Sequence, residues 1–120
     1  MYTIEFYETA DGVSEIGSFL DSLLLKAESD KNAAIQYKQI SRYIQLLQEN
    51  GTNLPTKVVK KIGKGIWELT PGVNRILFFF HTGDTYVLLH IFRKKTRKTP
   101  SREIARAVAE MKDYISRRPL

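Results

Sequence analysis

Hydrophobic spacing along the chain changes period several times, and each change marks a new element. Tyr2, Ile4 and Phe6 alternate with Thr3, Glu5 and Tyr7, a period of two that predicts an opening strand over residues 2–7. Asp11-Gly12 then signals a turn. From Val13 the apolar positions follow helical spacing through Ile16, Phe19, Leu20, Leu23 and Leu24, with Ser14 placed to cap the first turn. After Ser29-Asp30 a second helical stripe runs through Ala33, Tyr37, Ile40, Ile44 and Leu47. It should stop at Asn50-Gly51, because glycine accepts a positive φ and Pro55 forbids resumption. The two helices are expected to form a hairpin.

Residues 57–93 read as short strands: Val58-Val59, Ile66 to Leu69, Arg75 to His81 and Thr85 to Phe92. Gly63, Gly65, Pro71-Gly72 and Thr82-Gly83-Asp84 separate them, and such short turns require antiparallel neighbours. The runs ILFFF and YVLLHIF are apolar on both parities, so these strands are expected to be central and covered on both faces, at least in part. A last helix begins near Thr99-Pro100-Ser101. Its stripe is Ile104, Ala107, Val108, Met111, Tyr114 and Ile115, and it ends before Pro119. The predicted order is β-α-α-β-β-β-β-α, an α+β domain over residues 1–120.

Composition narrows the function classes. At 120 residues and 42% hydrophobic content, one core can form but not two. Cysteine is absent, which excludes disulfides, a thiolate nucleophile and a Cys-based zinc site, and agrees with a reducing cytoplasm. The acidic start MYTIEFYETADG does not look like a secretory signal. The longest apolar run, Ile76 to Phe80, is far short of the roughly 20 residues of a membrane helix. A soluble, untargeted protein with no membrane association is expected.

Charge is strongly asymmetric. Residues 1–60 carry a net −2 and residues 61–120 a net +8, within an overall +6. That field favours a polyanionic partner, although a solvated basic face would show the same imbalance. The densest run is FRKKTRKTPSR at 92–102, which holds Arg93, Lys94, Lys95, Arg97, Lys98 and Arg102 and no acid. Self-repulsion makes such a run costly for stability, whereas neutralising phosphates releases counterions and repays it. Lys57, Lys60, Lys61 and Lys64 form a second basic group before the sheet hairpin. Either group could instead keep the protein soluble or face a protein partner.

Arg75 opens a strand after a Pro-Gly turn. Its guanidinium could fork onto a phosphate and stabilise charge building up there, or it could pair with Glu68 across the hairpin. Glu68, facing away from Trp67 and Leu69, could accept a proton from a ribose 2′-hydroxyl. Neighbouring cations would weaken it as a base, which favours the salt-bridge role. His90, between Leu89 and Ile91, reads as a satisfied core histidine, and His81 as an exposed one. Two histidines without partners predict no metal site, and no cofactor motif is present: there is no P-loop, dinucleotide fingerprint, nucleophile elbow or HExxH.

The segments GIWELTPGVNRILFFF and YVLLHIFRKKTRKTPSREIARA resemble the core signature of RelE/ParE-superfamily toxins. More narrowly they resemble the phage-derived HigB-type branch, with its W-E-L strand, following arginine and basic run leading into a helix. The resemblance covers residues 57–110 well. It implies a twisted antiparallel sheet with helices on one face, and a toxin of a type II toxin-antitoxin system partnered by a helix-turn-helix (HigA/Xre-like) antitoxin. The implied activity is cleavage of translated mRNA on the ribosome without metal or cofactor: the 2′-hydroxyl attacks the adjacent phosphate, leaving a cyclic phosphate and a 5′-hydroxyl. Arg75 then corresponds to the arginine on the scissile phosphate and Lys94 to the second catalytic cation, with Lys95 beside it. Arg93, Arg97, Lys98, Lys60, Lys61 and Lys64 would bind RNA. Glu68 stands where RelE has a basic residue and Pro100 where RelE has a tyrosine, so the general base is unassigned. Two other classes remain open: a ParE-like toxin that inhibits DNA gyrase by binding, and a plain nucleic-acid-binding module.

Overall fold

The computed structural model describes residues 1–118 and contains five strands and three helices in the expected order. They are β1 (Thr3–Phe6), α1 (Glu15–Lys26), α2 (Lys31–Asn50), β2 (Val59–Gly63), β3 (Ile66–Leu69), β4 (Asn74–Phe80), β5 (Thr85–Arg93) and α3 (Ser101–Ser116). Pro119, the predicted helix stop, lies outside the described residues.

The helix ends follow local chemistry. Ser14 Oγ accepts the Gly17 N–H at 3.0 Å, and Asp30 accepts the N–H groups of Asn32 and Ala33. Each satisfies donors that the first turn leaves open. At the far end of α2, Gly51 sits at φ +59, and a Cβ there would meet the Tyr2 ring at 2.8 Å. Both the backbone conformation and the close approach require glycine.

The strands form one sheet in the order β1-β5-β4-β3-β2. Strands β2 to β5 are antiparallel, as the short turns require, but β1 lies parallel to β5 at the edge, so the sheet is mixed. A period-two pattern identifies a strand and carries no information about the direction of its neighbour. The basic group before the hairpin also shifts: Lys60 and Lys61 lie within β2, and Lys64 occupies the β2–β3 turn at φ 57.

Helices cover both faces of this sheet, against the one-sided packing that the family resemblance implies. On one face α1 and α2 bury Ile16, Leu23, Ala33, Ile40 and Leu47 against Leu69, Ile76, Phe78, Tyr86 and Leu88. On the other, Ala107 and Tyr114 of α3 pack with Ile66, Leu77, Phe79, Val87 and Leu89. The double parity of ILFFF follows from this two-sided burial. Leu24 and Ile115, both assigned to apolar stripes, are about half exposed.

YVLLHIF has a second cause for its double parity. The β4–β5 register pairs Phe78 with Leu88 and Leu77 with His90, which leaves Leu89 as an extra residue. This bulge reverses the facing of everything after it. Strict alternation from Tyr86 and Leu88 would turn His90 and Phe92 toward α1 and α2. The bulge turns them toward α3, the face that carries Glu68 and Arg75.

Candidate active site

The paired ends of β4 and β5 build the site. Arg75 stands opposite Phe92, Asn74 opposite Arg93, and the Lys94 N–H extends the ladder by donating to Val73 O at 2.8 Å. Residues 94–100 then leave the sheet and lead into α3. Between this segment, the sheet and the first turn of α3 lies a cavity of about 590 Å³. Its walls include Arg75, Arg93, Lys94, Lys95, Arg97, Lys98 and Arg102, together with Glu68, Phe92, Thr99 and Glu103. Arg75 and both candidate catalytic lysines therefore share one concave site.

Arg75 is held rather than free. Its Nη1 donates to Gly72 O at 2.8 Å and to Asn74 O at 2.7 Å, so the Pro-Gly turn grips one corner of the guanidinium. Among the described residues the other guanidinium nitrogens have no acceptor, and the group is half-buried. A planar donor fixed at one corner and open at the other suits a bidentate anion.

Glu68 does not pair with Arg75. It is 2% exposed; Thr99 Oγ1 donates to its Oε2 at 2.7 Å, and Lys60 Nζ lies 3.8 Å from its Oε1. Cross-strand register explains the partner, since Lys60 on β2 stands directly opposite Glu68 on β3. The carboxylate latches the segment just before α3 to the sheet, and both of its oxygens are engaged. Among the described residues, none of the seven cations lining the cavity is salt-bridged to a carboxylate. With seven cations against the two carboxylates of Glu68 and Glu103, the lining is strongly net positive and suited to a polyanion. Lys60 reaches the cavity only through Glu68, and Lys61 and Lys64 do not line it.

His90 is fully buried, as its position between Leu89 and Ile91 implies. Its partners come from α3: Nε2 lies 2.9 Å from Glu103 Oε1 and Nδ1 lies 2.5 Å from Glu110 Oε1. Glu110 in turn meets Arg106 Nε at 3.3 Å. His81, expected to be exposed, is instead half-buried with its ring edge-on to Tyr114, centroids 5.1 Å apart. At the other end of α3, Tyr7 donates to Asp113 at 2.7 Å and Tyr114 donates to Glu5 at 2.5 Å. Burial, reinforced by Glu5, pushes the Tyr114 phenol up to about 12.

Sequence reasoning missed Thr99 and Glu103 as parts of this site. A signal for Glu103 was present: Glu103, Ala107, Glu110 and Tyr114 follow helical spacing, so two acids share the stripe that holds the buried Ala107 and Tyr114. Acids on a packed stripe need partners, and His90 is the partner.

Fold and site together define a small α+β protein built around a cationic cleft of about 590 Å³ at a strand end. The chain belongs to the family described as Phage derived protein Gp49-like (DUF891), a RelE/toxin-like family whose pattern matches residues 27–112. None of the curated proteins matches the chain. No helix among the described residues is long and apolar enough to cross a membrane.

Proposed function

We propose that this protein is a HigB-type toxin and acts as a ribosome-dependent endoribonuclease on translated mRNA. The observation that carries the reading is the single cavity in which Arg75, Lys94 and Lys95 converge, none of them salt-bridged to a carboxylate among the described residues. RNA cleavage by its own 2′-hydroxyl needs no nucleophile from the protein. It needs the phosphodiester held in line and the growing negative charge stabilised, and positioning with fixed cations can supply much of the barrier reduction. Arg75, anchored by its turn, grips the non-bridging oxygens, and Lys94 and Lys95 add charge from the adjoining strand end. Arg93, Arg97, Lys98 and Arg102 track the flanking backbone. Action on ribosomes places the protein in the cytoplasm, and a helix-turn-helix antitoxin of the HigA/Xre-like kind is the partner that would restrain it.

The reading is tested by expressing the protein in bacteria and mapping mRNA 5′ ends by primer extension, with and without translation. New 5′ ends confined to translated messages, together with growth arrest, are expected. Growth arrest with intact messages would replace it with a ParE-like, non-cleaving toxin that binds gyrase. Unimpaired growth would leave a nucleic-acid-binding module.

A further inference from the structure

The cationic cavity contains one carboxylate whose presence phosphate binding does not explain. Glu103 sits in the first turn of α3 and lines the cavity, and its side chain is 16% exposed. A negative charge there weakens the grip on a polyanion, so its role must lie elsewhere. Its Oε1 lies against His90 Nε2, while Oε2 has no hydrogen-bond partner among the described residues. Glu68 differs in both respects, being nearly inaccessible with both oxygens engaged.

We propose that Glu103 is the proton acceptor for the 2′-hydroxyl, with His90 and Glu110 as positioning residues behind it. The proposal rests on the nuclease reading above. A neutral imidazole donates through one nitrogen only, yet both His90 nitrogens face carboxylate oxygens. The ring therefore bridges the two carboxylates. It is fully buried and pinned at both ends, so it fixes the position of the Glu103 carboxylate, and a general base must be held within hydrogen-bond reach of the proton it takes. In the reaction the 2′-oxygen bonds to phosphorus and its proton passes to Glu103 Oε2. The P–O5′ bond breaks, and the 5′-oxygen leaves with the electron pair and takes a proton from solvent water. Glu103 then returns its proton to solvent, so no net proton is consumed.

A purely structural role for Glu103, docking α3 on His90, is separable. Glu103→Gln keeps an oxygen that accepts from His90 Nε2 but cannot take the 2′ proton. The experiment measures single-turnover cleavage of a defined mRNA on purified programmed ribosomes, alongside affinity for the same mRNA carrying a 2′-deoxy nucleotide at the cleavage position. Expected is a loss of about 100-fold or more in cleavage by Glu103→Gln, with affinity and thermal midpoint retained and partial recovery in Glu103→Asp. The loss should persist when a 5′-bridging sulfur replaces the leaving oxygen, because a better leaving group relieves a missing acid and not a missing base. Cleavage within threefold of the unsubstituted protein, or full recovery on the sulfur substrate, would overturn the assignment. Failure of the unsubstituted protein to cut would overturn the nuclease reading beneath it.

Discussion

At the scale of single residues, the site separates cations that are held from a carboxylate that holds. Arg75 is oriented by two carbonyls of its own turn, whereas Glu68 is consumed by Thr99 and Lys60. Glu68→Gln should accordingly cleave mRNA within a few-fold of the unsubstituted protein while lowering the thermal midpoint. The amide still accepts from Thr99 but loses the attraction of Lys60. A cleavage loss near 100-fold in that variant would return Glu68 to the chemistry. Sequence alone placed Arg75, Lys94 and Lys95 at adjoining strand ends, because turn residues and a charge run are local signals. It favoured Arg75 as the partner of Glu68, which is not the pair that forms. The choice of partner depends on register, which set Lys60 opposite Glu68 on β2 and left Arg75 to its turn.

At the scale of elements, α3 is fastened to the sheet through polar groups as well as through its apolar stripe. His90→Leu would leave Glu103 and Glu110 facing an apolar side chain, and stranding buried charge is costly. A loss of about 3 kcal/mol in urea unfolding is expected; a change below about 1 kcal/mol would mean that the carboxylates find water instead. Tyr114 gives a pH test. Its phenol is raised to about 12 from an ordinary 10, so its neutral form is favoured in the fold. The stability it contributes is complete below pH 10 and is lost as pH rises through 12. The gap in thermal midpoint between the unsubstituted protein and Tyr114→Phe should be widest near pH 9 and close toward pH 12; a constant gap would contradict this. Element order and helix caps were legible because Ser14, Asp30 and Gly51 act locally. The bulge at Leu89 was not legible, and it decides that His90 and Phe92 face α3. An extra residue in an apolar strand leaves no mark when both faces are buried.

At the scale of the whole molecule, the charge asymmetry read from the sequence becomes a localised feature. Most of the excess positive charge in residues 61–120 collects around one cavity. Binding of single-stranded RNA should then weaken steeply with salt. If four to six cations contact phosphates, log affinity should fall against log salt concentration with a slope of roughly −3 to −4. Arg97→Ala should flatten that slope by about 0.7, as titration of a labelled RNA across a salt series would show. A slope near zero would remove RNA as the ligand. The two-sided helical cover belongs to this scale too, since β4 and β5 must be buried on both faces for their paired ends to stay rigid.

The claim beneath these expectations is that one rigid strand-end cleft grips an RNA phosphodiester during cleavage. Its most direct test is the single-turnover rate on ribosome-bound mRNA for the unsubstituted protein, Arg75→Ala and Lys94→Ala, each first shown to be folded. Each variant should lose about 100-fold or more, as removal of a group stabilising transition-state charge typically does. Cleavage at the unsubstituted rate by both would contradict that claim.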